Sequence, residues 1–107
     1  MARQVDLEVF AAAWSAGAVV VDVRTPEEYR AGHVPGALLA PVDPVAVLAH
    51  PPEVREVYVI CASGNRSRWA ADRLAEAGVE ALSVAGGTRG WIASGRSVAA
   101  GSAPGSA

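Results

Sequence analysis

The sequence has no lysine and only one cysteine in 107 residues, and its nine basic residues are arginines scattered along the chain. The formal net charge is -2, and no basic stripe is present, so we expect no nucleic-acid partner. A single cysteine excludes an intramolecular disulfide and a cysteine metal cluster. The two histidines, His33 and His50, lack the spacing of a metal pair. These absences predict a site without a protein-bound metal.

Long apolar runs are absent as well. None approaches the roughly 20 residues of a membrane span, and residues 1–6 show no secretory signal pattern. We therefore expect no membrane partner and a cytoplasmic location, which a lone cysteine in a reducing compartment also favours. Apolar residues make up 51% of the chain, which is enough for one domain. We place this domain at residues 1–96, followed by a flexible tail of Ala, Gly, Ser and Pro at 97–107.

Short β-branched runs alternate with alanine-rich segments of helical length. This alternation predicts an α/β domain with a mostly parallel sheet between helices. Asp6 is predicted as the N-cap of the first helix, and Thr25 with Glu28 is predicted to form a capping box before the second. Strands are predicted at 18–22, 57–60 and 81–84, with a short apolar segment at 37–39. Helices are predicted at 7–16, from Thr25 to before Gly32, at 43–50, at 67–77 and at 88–94.

The lone cysteine, Cys61, directly follows the predicted strand 57–60. It therefore lies at the carboxyl end of a strand, which is the edge where open α/β sheets bind ligands. Gly64 permits the loop after it to curl, so that successive N–H groups and the next helix terminus form a nest for an anion. The sequence predicts that the anion is the sulfur of Cys61 itself. The proposed nest consists of Ala62, Ser63, Gly64, Asn65, Arg66 and Ser67.

Ionising this thiol near neutral pH requires a substantial stabilisation of the thiolate. A free cysteine has a pKa of about 8.5, and lowering it by about 2 units takes roughly 2.7 kcal/mol. A helix terminus supplies only about 0.3–1 kcal/mol, whereas each charge-assisted hydrogen bond supplies about 1.5–3 kcal/mol. We therefore interpret Cys61 as a partly accessible nucleophile of low pKa, stabilised by loop amides and the field of Arg66. The alternative is an inert packing cysteine.

Three segments in order resemble the signatures of the rhodanese family of sulfurtransferases. The central one, 61–67, is similar to the six-residue active-site loop C-x-x-G-x-R and the serine after it. The resemblance covers roughly residues 5–95. The matching segments are 22–24 with 28–29 and 32–37, then 61–67, and finally 84–91.

The resemblance implies a sheet of about five parallel strands and a reaction that passes through a persulfide on Cys61. The loop amides from Ala62 to Ser67 would hold the charged persulfide, and Arg66 would help to hold an anionic donor such as thiosulfate. No metal or organic cofactor is implied. Because no second cysteine is present, the sulfur must leave to an external acceptor, namely cyanide, a small thiol or a partner protein.

The sequence departs from the family pattern at two places. Ala40 stands where an Asn or His is frequent, and Ala62 with Ser63 matches neither the mercaptopyruvate nor the thiosulfate type of loop, so the donor stays open. A non-catalytic rhodanese-like interaction module is the main alternative function. A cysteine-based phosphatase or arsenate reductase is a second alternative, although those loops have the spacing C-x5-R, one residue longer than in this chain.

Four further residues have two interpretations each. Asp22 and Arg24 either brace the active-site loop or form a structural ion pair with a helix terminus. His33, in a Gly-His-Val-Pro-Gly turn, is better explained by a structural hydrogen bond than by pairing with Cys61. Trp69 is predicted on the outer face of its helix, where it either docks a sulfur acceptor or lies over neighbouring side chains. Trp14 and Trp91 are assigned to packing.

Overall fold

The computed structural model describes residues 3–40 and 56–105, so the helix predicted at 43–50 lies outside the described residues. Within these ranges, five strands form one all-parallel sheet in the order β1-β5-β4-β2-β3. The strands are β1 (Arg3–Val5), β2 (Val19–Asp22), β3 (Leu38–Leu39), β4 (Glu56–Ile60) and β5 (Glu80–Val84). The helices are α1 (Leu7–Ser15), α2 (Pro26–Ala31), α3 (Asn65–Glu76) and α4 (Gly87–Ala93). None of these helices is long and apolar enough to cross a bilayer.

The helix starts follow the capping chemistry predicted from the sequence. The Asp6 carboxylate accepts the Val9 N–H at 2.9 Å and begins α1. Thr25 and Glu28 form the expected reciprocal capping box at the start of α2, with Pro26 in its first turn. Both predictions are confirmed, because short-range capping is decided by neighbouring residues.

Two apolar clusters cover the two faces of the sheet. Since successive strand side chains point to opposite faces, Tyr58 and Ile60 join one cluster while Val59 and Cys61 join the other. The first cluster includes Phe10 of α1, Tyr29 of α2 and Trp91 of α4. The second includes Ala70, Ala71 and Leu74 of α3. The predicted α/β architecture with helices on both faces is therefore confirmed, and Cys61 faces α3.

Parallel pairing brings the ends of β2 and β4 to the same edge. Asp22 pairs with Ile60 in the register, and the Val23 N–H donates to the Ile60 carbonyl at 3.0 Å. Because Cys61 follows Ile60, the cysteine lies at the carboxyl edge of the sheet, next to the segment that leaves β2. This placement agrees with the sequence prediction.

Three details differ from the sequence prediction. Strand β1 was not predicted, because a three-residue polar edge strand is defined only by its pairing with β5. Helix α3 begins at Asn65 rather than at 67, so the end of the C-x-x-G-x-R loop is already helical. Ala77, predicted as the last residue of this helix, is exposed and lies just beyond the helix end at Glu76.

Residues 99–104 of the tail contact the domain, whereas the composition of 97–107 predicted a flexible segment. His33 and Ala99 exchange backbone hydrogen bonds at 2.9 and 2.8 Å, and the Gly36 N–H donates to the Pro104 carbonyl at 2.8 Å. The buried His33 ring also approaches the carbonyls of Ala103 and Pro104, each at 3.1 Å. Backbone groups make most of these contacts, and small side chains give no sequence signal for them.

Candidate active site

The loop after β4 curls around the sulfur of Cys61. Gly64 adopts φ 110°, in the left-handed region that favours glycine, and is the N-cap of α3. This turn aims the Gly64 N–H at Cys61 Sγ, with a nitrogen-to-sulfur distance of 3.0 Å. A sulfur held by a backbone N–H at a helix start is in the environment that stabilises a thiolate.

Two buried serine hydroxyls extend this environment. Ser67 Oγ lies 3.6 Å from Cys61 Sγ, 3.2 Å from the Gly64 carbonyl and 2.7 Å from Ser83 Oγ. Ser83 was missed in the sequence reasoning. Ser83 pairs with Val59 on the neighbouring strand, and Val59 shares the sheet face of Cys61, so strand register is what brings Ser83 to the loop. The hydroxyl pair fixes the position of Ser67 beside the sulfur.

These contacts lower the pKa of the thiol. Burial raises the pKa of Cys61, but the hydrogen bond with the Ser67 hydroxyl and those from the amides of Ser67, Gly64 and Ser63 outweigh it. The net effect is a pKa below the ordinary value of a cysteine. The nucleophile interpretation of Cys61 thus has a physical basis in the loop geometry.

The accessibility of Cys61 differs from the sequence prediction. Cys61 was expected to be partly accessible, yet it is only 1% exposed. The reason is geometric, since the loop that aims its amides at the sulfur also covers it. Among the loop residues whose burial is described, Ser63 and Arg66 are exposed.

The loop arginine is paired with a carboxylate from α2. Arg66 Nη1 and Nη2 donate to the two carboxylate oxygens of Glu28 at 3.0 and 3.1 Å. Hydrogen bonds from the Arg66 side chain and the Thr25 backbone hold the pKa of Glu28 at about 2, so the pair is ionised near neutral pH. The sequence reasoning placed Arg66 beside an anionic donor but did not identify Glu28 as its partner.

The first turn of helix α4 donates hydrogen bonds to the backbone of the loop 61–67. The Thr88 N–H donates to the Cys61 carbonyl at 2.7 Å, and the Arg89 N–H donates to the Ala62 carbonyl at 3.0 Å. Gly87, at φ 56°, lies directly against this backbone. The third sequence signature therefore anchors the loop by backbone contact, a role that its residue types do not reveal.

A family model named rhodanese-like domain matches residues 7–94 of this chain. The chain belongs to the rhodanese-like domain family. It is similar in structure to a rhodanese-related protein from Thermoplasma volcanium, with a TM-score of 0.75, 28% identity, and coverage of 91% of this chain and 97% of that one. The resemblance inferred from the sequence is confirmed.

Two curated relatives of this rhodanese-like domain are larger proteins. A putative sulfur carrier protein, YrkF of Bacillus subtilis, is 38% identical over 74 residues, which cover 67% of this chain and 40% of that protein. A tRNA sulfurtransferase of Pyrobaculum aerophilum is 41% identical over 69 residues, which cover 64% of this chain and 14% of that protein. The chain thus spans less than half of either relative.

In this rhodanese-like domain, Asp22 and Arg24 form a buried ion pair. Arg24 Nη2 donates to Asp22 Oδ2 at 2.8 Å and to the carbonyl of Gly32, which caps the end of α2, also at 2.8 Å. The described hydrogen bonds of Arg24 go to these two residues and not to the loop 61–67. Of the two interpretations from the sequence, the structure matches the ion pair with a helix terminus.

The other candidate residues of the rhodanese-like domain lie away from the sulfur. His33 is fully buried, stacks on Tyr29 and binds backbone carbonyls, as a structural histidine does. Trp69 is 59% exposed on α3, as predicted, with Arg73 over its ring. Among residues 3–40 and 56–105, no three His, Cys, Asp or Glu side chains form a group that could hold a metal ion.

Replacing Ser67 with alanine is expected to slow alkylation of Cys61 by iodoacetamide at pH values below the pKa of the thiol. The hydroxyl stabilises the thiolate, so its loss raises the pKa and lowers the ionised fraction at a given pH. One hydrogen bond of about 0.5–1.5 kcal/mol corresponds to a rate reduced about 2- to 12-fold. The profile of rate against pH should shift to higher pH and reach a similar plateau.

Ser63→Ala is the matched control, because the exposed Ser63 contributes its amide, which alanine retains. Its pH profile should superimpose on that of the parent protein. Equal profiles for Ser67→Ala and Ser63→Ala would contradict the role given to the Ser67 hydroxyl.

Proposed function

We propose that this rhodanese-like domain is a sulfurtransferase that carries sulfane sulfur as a persulfide on Cys61. The observation that supports this most directly is the Gly64 N–H aimed at Cys61 Sγ at 3.0 Å, within a C-x-x-G-x-R loop. The same amides that stabilise a thiolate would stabilise the anionic terminal sulfur of a persulfide. The names of the two curated relatives, a sulfur carrier and a tRNA sulfurtransferase, are compatible with this chemistry.

In the first half-reaction, the thiolate of Cys61 attacks the outer sulfur of an anionic donor such as thiosulfate. A new sulfur–sulfur bond forms to Cys61, the sulfur–sulfur bond of the donor breaks, and sulfite leaves with its electron pair. The total charge is conserved, since a thiolate and a dianion give a persulfide anion and a dianion. One difficult displacement is thereby divided into two easier ones.

In the second half-reaction, an external nucleophile takes the terminal sulfur and the thiolate of Cys61 is regenerated. The acceptor is external because the sequence contains no second cysteine. Cyanide serves as the acceptor in an assay, and a small thiol or a partner protein serves in the cell. We place this reaction in the cytoplasm, where thiols are kept reduced.

The loop favours sulfur over phosphate as the transferred group. Four residues separate Cys61 from Arg66, one fewer than in the C-x5-R loops of cysteine phosphatases. The Ser67 hydroxyl and the Gly64 amide both contact the sulfur. A shorter loop encloses a smaller space, which suits one additional sulfur better than a tetrahedral oxyanion.

Incubation with thiosulfate followed by mass measurement tests the proposal. The expected product is the protein plus the mass of one sulfur atom, and cyanide should remove the added mass. Absence of the adduct would favour a non-catalytic interaction module. Release of phosphate from an aryl phosphate, lost on Cys61→Ser, would favour the phosphatase instead.

A further inference from the structure

The carboxylate of Glu28 has two tasks. Its Oε1 accepts the Thr25 N–H at 3.0 Å, which closes the capping box of α2. The same oxygen accepts Arg66 Nη1 at 3.0 Å, and Oε2 accepts Arg66 Nη2 at 3.1 Å. The capping box therefore holds the Glu28 carboxylate in place, and Arg66 binds this carboxylate through both terminal nitrogens of its guanidinium.

This pairing changes what Arg66 offers to an incoming donor. Both terminal nitrogens of the guanidinium already donate to Glu28, and the paired charges cancel at a distance. The side chains of Arg66 and Glu28 are 47% and 36% exposed, so solvent screens the pair and the guanidinium can exchange partners. An anionic donor must either compete with Glu28 for Arg66 or bind beside a carboxylate.

We infer that Glu28 is a positioning residue that acts through Arg66 to set donor specificity. By occupying the guanidinium, Glu28 weakens the preference of the site for anionic sulfur donors and favours neutral ones. The role in donor specificity rests on the proposed sulfur transfer, whereas the alkylation experiment below tests the effect of Glu28 on Arg66 without it. The two sulfur-transfer steps are unchanged, because Glu28 affects only the charge of the Arg66 guanidinium that is available to the donor.

Glu28→Gln separates the two tasks. Glutamine also serves at this position of a capping box, so α2 should keep its start while the charge is lost. The readout is alkylation of the lone cysteine by iodoacetate, an anion, and by iodoacetamide, its neutral analogue. The ratio of the two rates cancels the intrinsic reactivity of the thiol. We expect the iodoacetate rate divided by the iodoacetamide rate to rise about threefold at low ionic strength, which corresponds to the interaction energy of an exposed ion pair. The rise should be smaller at high salt, because salt screens the charges.

Glu27→Gln is the matched control. Glu27 lies on the same helix turn and loses the same charge, but its partner is Arg30, at 3.8 Å, and its side chain is 78% exposed. Its rate ratio should equal that of the parent protein. A ratio that rises equally in both variants would show a general charge effect and would overturn the role of Glu28.

A double-mutant cycle with Arg66→Ala tests whether Glu28 acts through the arginine. In the Arg66→Ala background, Glu28→Gln should change the ratio by less than half of its effect in the parent protein. An undiminished effect would mean direct repulsion of the donor and would overturn the inference, as would an unchanged or lower ratio for Glu28→Gln alone.

Sulfur transfer provides the second readout. With thiosulfate as donor, Glu28→Gln should lower KM about threefold, and the change should appear in KM rather than in kcat. An unchanged or higher KM would contradict the inference. If the parent protein forms no persulfide at all, the proposed function fails, whereas the alkylation ratio still decides the role of Glu28.

Discussion

Replacement of Cys61 by serine is expected to abolish persulfide formation and to lower sulfur transfer from thiosulfate to cyanide by about 10³-fold or more. The reason is chemical, because a serine hydroxyl stays protonated under conditions where this loop ionises a thiol. The loop cannot compensate, since its amides stabilise an anion that serine does not form. Mass measurement after incubation with thiosulfate, together with a steady-state assay, gives both results.

The fold of Cys61→Ser should be retained, and this can be checked by thermal unfolding. Serine is similar in size, and its oxygen can accept the Gly64 N–H that the sulfur accepts in the parent protein. A folded Cys61→Ser protein that still gained the mass of one sulfur would place the persulfide elsewhere and would contradict the proposed function.

Replacement of Gly87 by alanine is expected to destabilise the domain by about 3 kcal/mol or more. A Cβ at this position would overlap the carbonyl oxygen of Cys61 and would lie 2.7 Å and 2.8 Å from the carbonyl oxygen and carbon of Ala62. These are backbone atoms, so no side-chain rotation relieves the overlap. The loop or α4 must shift, and the hydrogen bonds from Thr88 and Arg89 to the loop would be lost.

The expected measurement is a melting temperature lower by about 12 °C or more, with sulfur transfer impaired even in the folded fraction. Gly90→Ala is the control, since a Cβ there meets no atom within 4 Å and alanine favours a helix. Its melting temperature should be unchanged or slightly higher. If Gly87→Ala were as stable as Gly90→Ala, the close backbone contact would be absent in solution.

The sequence was informative where a residue's environment is local. The capping residues Asp6 and Thr25 predicted the starts of α1 and α2, and the buried runs predicted β2, β4 and β5. The lone cysteine after a strand, with glycine three residues later, predicted the loop that curls around a sulfur. These features depend on few neighbouring residues, so their chemistry is readable without a structure.

The sequence was less informative about partners distant along the chain. Nothing in the pattern indicated that Arg66 binds Glu28, 38 residues away, or that Ser83 binds the hydroxyl of Ser67, 16 residues away. The same holds for β1, which is defined by pairing, and for the tail, which packs through backbone carbonyls around His33. Each of these contacts requires the tertiary arrangement to bring its partners together.

The sequence by itself determined the fold class and the family, and it predicted Cys61 as the reactive residue, because each follows from residue types at short spacing. The tertiary structure decided how the site is tuned. In the folded chain, Cys61 is 1% exposed, Arg66 binds the carboxylate of Glu28, and the backbone of α4 packs against the loop. Accessibility and charge pairing depend on distances between segments that are separate in the sequence, and the folded chain sets those distances.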